Sequence, residues 1–181
     1  MSKAHDCIEP ELAAWIAKQR MFFVGTAPLS GNGHVNLSPK GGDAFRILGP
    51  LEVVYQDYTG SGAETAAHLR ENGRIVLLFC AFEGGPKIAR LHGRGTLITP
   101  DHPRFQPLSQ HFPTNPGTRA LVHIEVTRVS TSCGFSVPLY EFRGPREILT
   151  EWAEKQGPEK LQEYRQRKNR RSIDGLPAFE V

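Results

Sequence analysis

Apolar residues in this chain fall in short runs broken by glycine, proline and polar turns, a pattern of many strands and few helices. Residues 21–27 read as a buried strand and 29–34 as a hairpin turn, with glycines where positive φ is needed. Residues 34–38 form the return strand, stopped by Pro39, and 45–48 and 51–55 continue the β pattern. Residues 75–82 are nearly all apolar, as in a middle strand, and 83–86 form a turn. In 87–97 the alternation sets Ala89, Leu91, Gly93, Gly95 and Leu97 on one face. Glycine at two inward positions implies a tight bend or the close approach of another backbone. The clearest period-two strand is 120–129, with Ala120, Val122, Ile124 and Val126 inward. Helical spacing appears at 9–19, where Pro10 suits a first turn and Leu12, Trp15 and Ile16 make a stripe. It returns near 66–69, briefly at 102–111, and in the charged last third. Six or seven strands without a parallel βαβ rhythm predict a mainly β (α+β), largely antiparallel barrel with one central helix and helices at both ends.

The stretch Tyr58-Thr59-Gly60-Ser61-Gly62-Ala63-Glu64-Thr65 joins a strand to that central helix. One reading is an ordinary helix cap, Thr59 or Ser61 satisfying free amides and Gly73 closing the helix in a left-handed conformation. The other is an anion site, since free N–H groups, a positive helix end and small residues let a phosphate approach. The polar strand face of Asn36 and Ser38, ending at Lys40, would add a cation and polar groups to the same phosphate. Alternatively, that face simply meets water.

Composition narrows the classes. A chain of 181 residues with 39% hydrophobic and 23% charged content suits one soluble domain. Its net charge of +3 implies no strongly acidic or basic partner. Cys7, Cys80 and Cys133 are odd in number and lack CxxC spacing, which argues against a disulfide framework and a thiolate metal site and fits a reducing, cytoplasmic setting. No apolar run approaches membrane length, and no apolar signal core follows Met1. The seven histidines never take a metal-ligand spacing, and neither a GxSxG elbow nor a Walker loop is present. Cys133 beside Gly134 is either an active thiol or, as a lone cysteine more often is, simply packed. The basic run at 160–171 lacks an aromatic platform, so it is expected to be a solvated helix end rather than a nucleic-acid surface.

Four segments in order, Val35-Asn36-Leu37-Ser38-Pro39-Lys40, Tyr58-Thr59-Gly60-Ser61-Gly62, the 64–72 helix with Arg74-Ile75-Val76-Leu77-Leu78-Phe79, and residues 88–95, resemble the pyridoxamine 5'-phosphate oxidase-like flavoproteins. The resemblance covers roughly residues 20–135. It implies an antiparallel split β-barrel over 20–135, an N-terminal helix in 1–19 and a C-terminal helical extension of the same domain in 136–181. It also implies bound FMN and a homodimer with the flavin at the subunit interface. By the same resemblance Asn36, Leu37 and Ser38 run along the isoalloxazine and ribityl chain, and Lys40 lies near the flavin's reactive side. Tyr58, Thr59, Ser61, Gly62, Ala63, Glu64 and Thr65 hold the phosphate, while Lys87, Ser132 and Cys133 reach the ring from the other subunit.

The departures carry as much weight. Glu64 and Thr65 stand where the oxidase proper has an Arg-Lys pair, so phosphate falls to amides, hydroxyls and another basic residue. The Arg-x-x-x-Ser segment that grips the pyridoxal phosphate group is absent from 103–119, as is an Arg-x-His near the C-terminus. The resemblance therefore points to an uncharacterised branch: an FMN-dependent oxidoreductase acting on a small molecule other than pyridoxamine phosphate, with no protein metal site. The alternatives are a non-catalytic flavin-, deazaflavin- or haem-binding module and a basic-tailed interaction protein. Removing Lys40 and Lys87 is expected to spare folding and weaken flavin binding or its reduction.

Overall fold

The computed structural model describes residues 3–180. Its strands are β1 (Lys3–His5), β2 (Met21–Thr26), β3 (Asn36–Gly41), β4 (Phe45–Gly49), β5 (Glu52–Tyr58), β6 (Arg74–Cys80), β7 (Ile88–Ile98) and β8 (Thr118–Ser132). Its helices are α1 (Pro10–Ile16), α2 (Glu64–Glu71), α3 (Phe105–Ser109) and α4 (Ile148–Lys168). The strands form one antiparallel sheet in the order β3-β2-β6-β7-β8-β5-β4, with β1 paired to β8. The sheet curls into the expected split half-barrel. Phe22 on β2, Phe79 on β6, and Phe45 and Tyr55 on the far β4–β5 edge close one aromatic cluster, with ring centroids 5.1–5.6 Å apart. Lys40 on β3 reaches Asp57 on β5 at 2.7 Å, tying the two sides of the curl. The core is lined by Val24, Leu77, Leu91, Val122, Ile124 and Val129, and α1 packs on it through Leu12 and Ile16.

Gly93 and Gly95 are there for close approach, as their inward placement implied. A Cβ at Gly93 would press on the backbone carbonyl of Glu125, and one at Gly95 would lie 2.8 Å from Leu69 of α2. Gly73 ends α2 at φ +70°, its amide bonding the carbonyls of His68 and Leu69.

Several expectations need correction. Pro39 does not stop its strand: β3 runs on to Gly41, because it is an edge strand where a missing N–H costs no ladder bond. Gly31 and Gly33 do not adopt positive φ. The turn closes through Gly33 N to Ser30 O at 3.1 Å, and a Cβ at Gly33 would strike Pro28. The pairing of β8 shifts at Thr127, which has no partner on β7, so Val126 and Val129 both point inward although three residues apart. Neither Thr59 nor Ser61 caps α2. The N-cap is Ala63, with no side-chain bond. The basic helix α4 is kinked at Gly157 (φ +71°) before Pro158, and its end is not wholly solvated, because Leu161 and Asn169 are buried and Arg165 half-buried. No helix among the described residues is long and apolar enough to cross a membrane.

Candidate functional site

Strand β3 turns Asn36, Ser38 and Lys40 to the same side, each half-buried, while Leu37 faces outward at 67% exposure. The register sets Asn36 beside Thr26 of β2, under the first turn of α2. Asn36 Nδ2 donates to Thr65 Oγ1 at 2.9 Å and to Thr26 Oγ1 at 3.3 Å, and Ser38 Oγ donates to Asn36 Oδ1 at 3.1 Å. Thr26 Oγ1 in turn meets His68 Nδ1 at 2.9 Å. His68 is fully buried, its Nε2 has no partner, and burial pulls its pKa below the usual histidine value, with only partial opposition from nearby carboxylates.

The turn before α2 is the most open part of this cluster. The first bond inside the helix is Ala67 N to Ala63 O at 3.0 Å, and the amides of Glu64, Thr65 and Ala66 have no acceptor among the described residues. Ser61 and Gly62 are exposed, and the Ser61 hydroxyl is unengaged among the described residues. Unpaired first-turn amides with a free hydroxyl beside them form a receptor for an oxyanion. Glu64 opposes this, although its Oε1 is occupied by the Ile173 amide at 3.2 Å.

Other named residues are engaged elsewhere. Tyr58 donates its hydroxyl to Gln56 Oε1 at 3.0 Å. Thr59 is buried, donating to Gly117 O at 2.9 Å and accepting from Arg165 Nε at 2.9 Å. Lys40 is paired with Asp57, whose other oxygen accepts from Arg119 Nε at 2.7 Å. Burial alone would raise the Asp57 pKa, but the two cations and their hydrogen bonds overcome it and hold it at about 2. Removing Lys40 would therefore unbalance a buried carboxylate, so the expectation that its loss spares folding does not fit this packing.

Lys87, Ser132 and Cys133 lie far from the turn. Asn36 aligns through Thr26 and Ile75 with Gly93, whereas Ile88 pairs with Ser132 five residues further along β7, roughly 17 Å at strand rise. Ser132 Oγ accepts from Arg90 Nη1 at 3.0 Å, Cys133 is exposed, and Lys87 Nζ stands 5.1 Å over the Trp15 ring. Lys87 also lines a cleft of about 1180 Å³ with Trp15, Arg20, Phe82, Tyr140 and Phe142.

Sequence reasoning did not find Asp57, Arg119, Arg165 and Asn169, which hold the turn from behind. Their one signal is polarity at strand and helix ends that otherwise read as apolar or solvated.

A curled antiparallel sheet with an oxyanion-ready helix start defines the split-barrel class. The chain belongs to the pyridoxamine 5'-phosphate oxidase family, whose sequence profile matches residues 8–133. It is 37% identical over 194 aligned residues to the pyridoxamine 5'-phosphate oxidase family protein ustO of Aspergillus flavus, covering 97% of this chain and 77% of ustO. Among solved structures, HupZ of Group A Streptococcus is similar at TM-score 0.53 and 22% identity, over 67% of this chain and 91% of HupZ. A Clostridium acetobutylicum protein related to general stress protein 26 of B. subtilis matches at TM-score 0.52 and 14% identity, over 68% of this chain and 86% of its own. At these identities the two structures speak for the fold alone.

Proposed function

We propose that this protein binds FMN, with the phosphate at the turn before α2, and serves as a flavin-dependent oxidoreductase for a small molecule other than pyridoxamine phosphate. The observation that carries the reading is the uncapped first turn of α2, whose unpaired amides adjoin Ser61 and the Asn36–Thr65 pair. Membership of the family supports it. The donor set suits a phosphate monoester: amides at 63–66 and the Ser61 hydroxyl. The open edge of β3, with Leu37 exposed, suits the ring and ribityl chain.

A bound flavin supplies the hydride chemistry, and the chain's own part is to bind, orient and shield. Because Lys40 is already paired with Asp57, Lys87 is the better candidate for a positive charge at the ring, where reduction develops negative charge.

In this reading the site is completed by a second copy. One chain holds Lys87, Ser132 and Cys133 too far from its own turn, so they serve the turn of a partner. Exposed apolar residues at Val35 just before the edge strand and Leu37 on it, and at Phe135, Leu139 and Tyr140, give such a homodimer surface to cover. Vitamin B6 chemistry is excluded from the proposal, since neither arginine motif that would grip its phosphate is present.

Titration of the flavin-free chain with FMN and with riboflavin tests the slot. Charge-assisted bonds to the phosphate are expected to make FMN roughly 100-fold the tighter ligand. Equal affinities would remove the phosphate from the turn.

A further inference from the structure

We infer that the C-terminal arm, residues 165–179, shapes the phosphate slot from behind, with Arg165 and Asn169 as its positioning residues. This rests on the reading of the turn as a phosphate site. It gives the basic helix end a role inside the fold.

The arm and Arg119 of β8 together hold the turn by its carbonyls. Gly60 O accepts from Asn169 Nδ2 at 2.8 Å and from Arg119 Nη1 at 3.4 Å, and Gly62 O accepts from Arg119 Nη1 at 2.9 Å. Arg165 grips the turn's start, through Thr59 Oγ1 at 2.9 Å and Thr118 O at 3.2 Å. A trans peptide points its N–H opposite to its C=O, and the described chain has no cis bond. Fixing the Gly60 carbonyl toward Asn169 and the Gly62 carbonyl toward Arg119 therefore turns the Ser61 and Ala63 amides away from these two side chains. Neither amide has a partner among the described residues, and both adjoin the unpaired amides of α2.

The arm is itself firmly seated. Asn169 is fully buried, its carbonyl accepts from Phe179 N at 3.1 Å, and Ala178 N bonds Arg170 O at 2.9 Å. Ala178 and Phe179 pack against Ala63, Ala66, Ala67 and Ala120, so the tail touches the very start of α2. The Phe179 ring lies 4.8 Å from the Arg119 guanidinium carbon.

Charge points the same way. Asp57 sets one negative charge against the two cations Lys40 and Arg119, whereas half-buried Arg165 pairs with no carboxylate among the described residues. Burial, then the nearby Arg119, pulls its pKa below the usual arginine value, as for a cation lacking its counter-ion. An anion in front of the turn would balance it. Arg165 thus supplies from the far end of the chain the positive charge that Glu64 and Thr65 do not supply at the turn.

The test is binding of FMN and of riboflavin, with thermal unfolding, for Arg165→Met, Arg165→Lys and Asn169→Ala in the full chain. Arg165→Met and Asn169→Ala are expected to weaken FMN about 10- to 100-fold while riboflavin stays within about threefold. Arg165→Lys keeps the charge but not both bonds and is expected to fall between. It carries the test if Arg165→Met does not fold. Folded variants that bind FMN like the wild type, or lose FMN and riboflavin equally, would overturn the inference and leave the site reading standing. A wild-type chain that binds no FMN overturns the site reading, and the inference falls with it.

Discussion

Asp57→Asn is expected to destabilise the chain by about 3–5 kcal/mol, the usual cost of breaking a buried ion pair from one side. Asp57 is 2% exposed and lies between Lys40 Nζ and Arg119 Nε, each 2.7 Å from one carboxylate oxygen. Asparagine keeps the shape and one acceptor but leaves two cations facing each other. Lys40, with its side chain 19% exposed, can swing toward water, whereas Arg119 at 7% cannot. The cost should therefore sit with Arg119, and Asp57→Asn/Arg119→Gln should recover part of it in a denaturant-unfolding cycle. Strictly additive losses would show that the two are not coupled.

The same carboxylate sets an acid limit. Its folded pKa of about 2 lies below the ordinary value of 3.8, so its contribution to stability is complete above pH 4 and is lost as the pH falls toward 2. In the Asp57→Asn protein that part of the acid slope should be missing.

Ser61→Asp is expected to lower FMN affinity at least 100-fold while leaving stability within about 0.5 kcal/mol. Ser61 is exposed and bonded to no other described residue, so an acid there is tolerated by the fold. Facing a phosphate at about 5 Å, one added unit charge costs roughly 3 kcal/mol at an effective dielectric of 20. Riboflavin affinity should barely change. If FMN affinity also holds, the phosphate lies elsewhere.

How much of this was legible in the sequence depended on the range of the interaction. The α2 helix and its end at Gly73 follow from local spacing and left-handed glycine chemistry. Gly93 and Gly95 announced a close approach, because glycine facing inward on a strand has few other uses. What failed was either a one-residue event or a long-range one. The unpaired Thr127 leaves the alternation of its strand intact up to Val126 and then shifts it, which a period-two reading does not detect. Strand β1 is three residues long and exists only because β8 offers an edge.

Thr59 looked like a cap or a phosphate ligand because hydroxyls before helices often are. Its actual partners, Gly117 and Arg165, are supplied by distant segments. Asp57, Arg119, Arg165 and Asn169 meet only after the sheet has curled and the tail has folded back. Each alone reads as a surface residue. Of the candidate site, the local segments 36–40 and 58–65 could be picked out in the sequence, while the side chains packed behind them could not.

The most direct test of the central claim is the visible spectrum of the freshly purified full chain, with mass analysis of what heating releases. The account predicts a yellow protein that releases FMN. A Soret band, or a colourless protein that also fails to take up added FMN, would contradict it and leave the turn before α2 as no more than a helix start.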